Sequence, residues 1–155
     1  MNQAAPQNST VVAKFGGTSV ADFEAMNRSA DVVLANPQVR LVVLSASAGV
    51  TNLLVALAEG CEADKRNYRL DEIRRIQYAI LDRLTAPAVI REEIDRLLEN
   101  IAMLSEAASL ATSTALTDEL VSHGELMSTL LFVEILRARN VQAEWFDVRD
   151  RKSVV

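Results

Sequence analysis

Lys14, Gly16, Gly17, Thr18 and Ser19 stand together in VVAKFGGTSV, and their types suit the holding of a phosphate group. Glycines lack a Cβ, so backbone N–H groups can approach an anion, and the free amides at the positive end of a helix dipole hold it there. Lys14 adds a full positive charge at the mouth of such a loop. The lysine precedes the glycines here, whereas in a Walker A loop it follows them, so this is not that motif. An ordinary turn accounts for the same two glycines, and spacing alone leaves both readings open. Far along the chain, SHGELMS (Ser122 to Ser128) sets Glu125 beside Leu126 and Met127 in an apolar helical stripe. A carboxylate buried there requires a cation, and a substrate ammonium group would serve; a solvent-facing helix glutamate is the alternative. Gly124 costs about 1 kcal/mol relative to alanine inside a helix, which implies either close packing against another backbone or room for a ligand. His123 has no partner at metal-ligand spacing, and no metal site is expected.

These groups must be positioned by alternating strands and helices. Val11 to Phe15 is a β-branched, apolar strand, and Ser19 followed by Asp22 has capping-box spacing that predicts a helix start at the loop. Apolar residues at steps of three and four, from Val20 through Phe23, Met26, Ala30, Val33 and Leu34, continue that helix until Asn36-Pro37 stops it. Val39 to Leu44 is a second buried strand; SASAGVTN then turns into a short helix with Asn52 to Glu59 as its body and Gly60 past its end. Strand, loop, helix repeated in this order implies parallel pairing in an α/β sheet, with both loops on one edge, where ligands of such sheets bind.

The middle of the chain reads as two long amphipathic helices, one carrying Leu70, Ile73, Ile76, Ile80, Leu81 and Leu84, the other, after Pro87, Ile90, Ile94, Leu97, Leu98, Ile101 and Leu104. Their charged outer faces read as solvated surface. A further helix starts near Thr117 and ends at Asn140, and Val141 to Val148 reads as a third strand, with Trp145 and Phe146 as core or sheet cover.

Composition narrows the function classes. With 155 residues, half of them hydrophobic, the chain can build one domain with a real core. A net charge of -5, with no long basic run, argues against nucleic-acid or anionic-membrane partners. The single cysteine, Cys61, suits a reducing cytoplasm; residues 1–10 read as a disordered lead-in without a secretory signal, and no membrane span is expected.

Three segments taken together, KFGGTSV, VVLSASAGVTNLLVALA and ELVSHGELMSTLL, resemble the aspartokinases of the amino-acid kinase family, closest to its lysine-sensitive bacterial branch. The resemblance runs from about Val11 to Arg149. It implies a three-layer α/β/α fold with a mainly parallel sheet, of which this chain holds the N-terminal half. It implies ATP-dependent phosphorylation of the L-aspartate side chain to 4-phospho-L-aspartate, in lysine, threonine and methionine biosynthesis. On it, Lys14 matches the catalytic lysine that contacts the transferred phosphoryl group, and Gly16, Gly17, Thr18 and Ser19 match the loop around the nucleotide phosphates. Ser45, Thr51 and Glu125 match substrate positions, Glu125 meeting the aspartate ammonium. ATP and Mg²⁺ are the implied cofactors, and full-length members are homo-oligomers inhibited by lysine through ACT domains.

The nucleotide half and ACT domains have no counterpart in these residues, and 150–155 do not match the family's continuation. Weak ATP binding and no kinase activity are therefore expected of the chain alone. Another amino-acid kinase, acting on glutamate, N-acetylglutamate or carbamate, and a non-catalytic fragment that associates with other chains are the alternatives; SAGVTN and SHGE point to aspartate.

Overall fold

Strand β1 (Val11–Phe15) leads through a 3-10 turn (Gly17–Val20) into helix α1 (Phe23–Ala35), and strand β2 (Val39–Leu44) leads into α2 (Val50–Ala58). Helices α3 (Ala63–Leu81), α4 (Ala88–Leu110) and α5 (Thr114–Ala138) follow. This computed structural model describes residues 9–147. Most of the expected lead-in, Val148 at the end of the expected third strand and the 150–155 tail lie outside the described residues. Among the described residues no helix is long and apolar enough to cross a membrane.

β1 and β2 pair in parallel, Ala13 opposite Val42 and Lys14 opposite Val43. Strand alternation sends Ala13, Phe15, Val42 and Leu44 toward the helices. There the Phe15 ring meets Phe132 of α5, with centroids 6.4 Å apart. On the opposite face Val12, Lys14 and Val43 are exposed. The helical layer described here therefore covers one face of the sheet. α5 runs through the middle of the core, with Leu120, Met127, Leu130, Leu131 and Phe132 buried along it.

Local chemistry shifts two predicted boundaries. Asp22, not Ser19, caps α1, its carboxylate accepting from the Ala25 amide at 2.8 Å. Ser19 cannot cap because it sits inside the 3-10 turn: its amide donates to Gly16 O, and its carbonyl accepts from Ser29 Oγ at 2.7 Å. α5 begins at Thr114 rather than near Thr117, because Ser113 accepts from the Leu116 amide and starts the helix within ATSTAL. The end of α2 at Ala58, with Gly60 at φ 84°, agrees with the pattern.

The third predicted strand does not form within the described residues. α5 closes with a Schellman motif, Val141 N–H to Leu136 O and Asn140 N–H to Arg137 O, with Asn140 at φ 62°. The segment 141–147 leaves this turn without a ladder partner. Arg137, paired with Glu134, holds it by donating to Ala143 O at 2.9 Å. Val141 and Ala143 pack on the core, but Trp145 and Phe146 are 37% and 44% exposed and outside it, lining a groove with Val39 to Leu44 of β2. β-rich composition cannot supply a strand where the backbone pairs with a turn and a side chain instead of a ladder.

Candidate functional site at the sheet edge

The C-terminal ends of β1 and β2 carry two loops that are bonded to each other. The Ser45 amide donates to Phe15 O at 3.0 Å and the Ala48 amide to Gly17 O at 3.1 Å. Gly17 has to be glycine for this contact: a Cβ there would lie 3.0 Å from Ala46 O, a backbone atom that cannot rotate away. Gly16 is extended, at φ -80° and ψ 175°, and a Cβ on it would meet nothing within 4 Å. Its surroundings are open space, which close packing does not explain. Lys14 and Thr18 are exposed beside it and Ser19 is half-buried. Among the described residues Lys14 has no ion-pair partner, and its charge is held at the edge by strand β1 alone.

The second loop supplies the other wall. Ser45 is half-buried, Ala46 and Ser47 are buried, and Gly49 reaches φ 89° to turn the chain into α2. Gly49 has no side chain to cap that helix, so the amides of its first turn are left without a side-chain acceptor, with Thr51 and Asn52 exposed there. An uncapped helix start favours anions.

Glu125 joins this edge through its neighbour. A Cβ on Gly124 would lie 2.9 Å from Ala46 Cβ and 2.7 Å from Leu54 Cδ1, so α5 touches the second loop at that glycine. Close packing, not ligand room, accounts for Gly124. Glu125 itself is exposed and, with Ser122 and Thr129, lines a groove of about 360 Å³ beside Val43 and Leu44. Since water already solvates the carboxylate, the solvent-facing reading of Glu125 holds and burial does not force a cation on it. It is free to take one. His123 is buried, its Nδ1 on Glu119 O at 2.7 Å, as a structural histidine.

Gly16, Gly17, Thr18, Ser19 and Ser45 thus lie in two joined loops, with Lys14 at the end of β1 and Thr51 in the first turn of α2 beside them, and Glu125 stands on the helix against which the second loop packs. Residue patterns missed Ala46, Ser47 and Ser128, which seat the second loop on α5, Ala46 against Gly124 and Ser47 Oγ 3.5 Å from Ser128 Oγ; the run of small residues in SASAG was the available signal. Among the described residues no group of three or more His, Cys, Asp or Glu could hold a metal ion.

Comparison with known proteins matches residues 9–154 to the amino acid kinase family. The chain is 78% identical to lysine-sensitive aspartokinase 3 of Escherichia coli K12 over 139 residues, 90% of this chain and 31% of that protein. It is 36% identical to chloroplastic aspartokinase 1 of Arabidopsis thaliana, over 89% of this chain and 25% of that one. Its fold superimposes with a TM-score of 0.89 on E. coli aspartokinase III crystallised with aspartate and ADP, at 74% identity, covering 92% of this chain and 33% of that one. The form crystallised with lysine and aspartate gives 0.88 with the same coverage. The chain spans about a third or less of the length of these relatives.

Proposed function

Because the chain belongs to the amino acid kinase family, we propose that it carries the phosphate-binding and amino-acid-binding edge of an aspartate kinase. The observation that carries this is the joining of the two loops by Ser45 N–H to Phe15 O and Ala48 N–H to Gly17 O, which puts a cationic phosphate loop beside a polar substrate loop. Similarity to a kinase crystallised with aspartate and ADP supports ligands of those classes for that edge.

On this proposal the amides of Gly16, Gly17, Thr18 and Ser19 hold the ATP phosphates, and the Lys14 ammonium faces the transferred phosphoryl group. Ser45 and Thr51 hold the amino acid, and Glu125 receives its ammonium group. The nucleophile is the aspartate side-chain carboxylate. With an ordinary pKa of about 3.9 it is ionised at neutral pH, so no general base is needed. What the protein supplies is alignment and neutralisation of charge on the equatorial oxygens, by Lys14 and the loop amides. Mg²⁺ enters as part of the nucleotide substrate. Lysine inhibition and homo-oligomer formation belong, on this proposal, to parts of the longer relatives outside the matched third.

The test is a hybrid in which residues 9–147 replace the matching segment of the E. coli enzyme, assayed for ATP-dependent acyl phosphate on aspartate, glutamate and N-acetylglutamate. Turnover on aspartate alone is expected. A folded hybrid that prefers glutamate or N-acetylglutamate would favour another amino-acid kinase, and one inert on all three would refute the assignment. The exposed Val12 and Val43 on the open sheet face favour a second reading, association with another chain. Sizing chromatography of the isolated chain at rising concentration distinguishes it by concentration-dependent oligomers.

A further inference from the structure

The loop between β2 and α2 bears on α5 at two points four residues apart. At Gly124, an added Cβ would lie 2.7 Å from Leu54 Cδ1, 2.9 Å from Ala46 Cβ and 3.3 Å from Val50 Cγ1. The Leu54 methyl ends a flexible side chain and can swing away, but the Ala46 Cβ is fixed to its backbone, so relief there moves the loop. At Ser128, Oγ shares a hydrogen bond of 3.5 Å with Ser47 Oγ, and both serines are fully buried. Residues four apart occupy one helix face, so notch and hydroxyl act on the same loop from the same side. Thr51 lies in the first turn of α2 directly beyond that loop, and Glu125 is the next residue after the notch. The depth at which the loop seats in the notch, and the rotation the serine pair allows it, therefore set the separation of Thr51 from Glu125. Gly124 and Ser128 are both buried beneath the exposed edge.

We propose that Gly124 and Ser128 are positioning residues for the amino-acid site, a statement that rests on the aspartate-kinase assignment above. They hold the β2–α2 loop on α5 so that Thr51 and Glu125 meet one amino acid together, while the phosphate loop, which meets that loop at Gly17 and at Phe15 O but does not touch α5's notch, feels the shift only at second hand.

Four variants of the hybrid enzyme test this: Ser128→Ala, Ser47→Ala, the double variant, and Gly124→Ala. Losing one hydrogen bond in either serine variant should raise the KM for aspartate about three- to ten-fold. The double variant should be no worse than either single one, as coupled residues require. Gly124→Ala should raise that KM about ten-fold, the scale of a sub-ångström misplacement. The KM for ATP should change several-fold less than the KM for aspartate in all four, because the phosphate loop meets the shifted loop only at its backbone contacts with Phe15 and Gly17. Amide hydrogen exchange, which needs no turnover, should quicken at 46–51 in each variant and clearly less at 14–19. A purely structural role predicts a lower melting temperature with both KM values moving together, or neither; either result overturns the proposal, as does unchanged exchange at 46–51. If the parent hybrid makes no aspartyl phosphate, the aspartate-kinase assignment fails first and the positioning role falls with it. A parent that turns over with variants that leave the aspartate KM untouched sinks the positioning role alone.

Discussion

On the α3–α4 hairpin, charged groups meet one another: Arg75 bonds Glu72, Arg96 bonds Glu93, and Arg91 lies 3.4 Å from Asp82. Tyr78 donates to Asp95 between the guanidinium groups of Arg74 and Arg91. At the sheet edge the arrangement is reversed. Lys14, Thr18, Thr51 and Glu125 are exposed, and among the described residues neither Lys14 nor Glu125 has an ion-pair partner. What holds them is close contact at small residues, Gly17 against the Ala46 backbone and Gly124 against the Ala46 and Leu54 side chains. The difference separates structure from function: a charge with its partner already in place stabilises the surface a little, whereas a charge held in position without one is available to a ligand.

The largest expected effect falls at the edge. Lys14→Ala in the hybrid should lower kcat by roughly a hundred- to thousand-fold, the scale of removing one charge-stabilising group. Its melting temperature should not change, since the side chain is exposed and unpaired; near-parental kcat would erase the contrast. Glu125→Gln comes next, with a KM for aspartate raised about ten-fold and the KM for ATP spared. Equal shifts in both would take Glu125 out of the amino-acid site.

Away from the edge, only stability should respond. Gln77 is wholly buried on α3 and neither atom of its amide has a hydrogen-bond partner among the described residues. Replacing it by leucine should remove a desolvation cost of about 1–2 kcal/mol and raise the melting temperature, with kinetics untouched. A fall in melting temperature would show that the amide is satisfied after all. The smallest effect is at Tyr78, whose hydroxyl is held above the usual tyrosine pKa by its bond to Asp95, then by burial and the Asp95 charge. A pKa raised in the folded state gives stability that is complete below the unfolded value, about 10, and is lost as pH rises through the folded one. Tyr78→Phe should therefore be slightly less stable than the parent at neutral pH, and the gap should narrow in strong alkali. A gap that widens with pH would reverse the sign of that contribution.

Much of this was legible in the residues. The helical stripes of α3 and α4, the stop at Asn36-Pro37 and the glycine end of α2 follow from local pattern and turn chemistry. Where pattern failed, a non-local contact decided. Val141 to Val148 has the residues of a strand, but 141–147 meet no paired edge. Ser19 has the right spacing for a cap, yet a 3-10 turn takes up its backbone. Glu125 reads as flanked by apolar neighbours, yet helix geometry turns those inward and the carboxylate outward. The site residues were visible because lysine, glycine and glutamate declare their chemistry. Ala46, Ser47 and Ser128, which seat the second loop on α5, do not; their importance lies in being small at one crossing of segments, which only the fold brings together.

The central claim is that the two loops form one ligand edge and that the helical hairpin takes no part. Residue-resolved amide exchange of the hybrid, with and without ADP and aspartate, tests it most directly. Slowed exchange at both 14–19 and 45–52, with 63–110 unchanged, is the predicted result. Protection confined to one loop, or appearing on α3 and α4 instead, would contradict it.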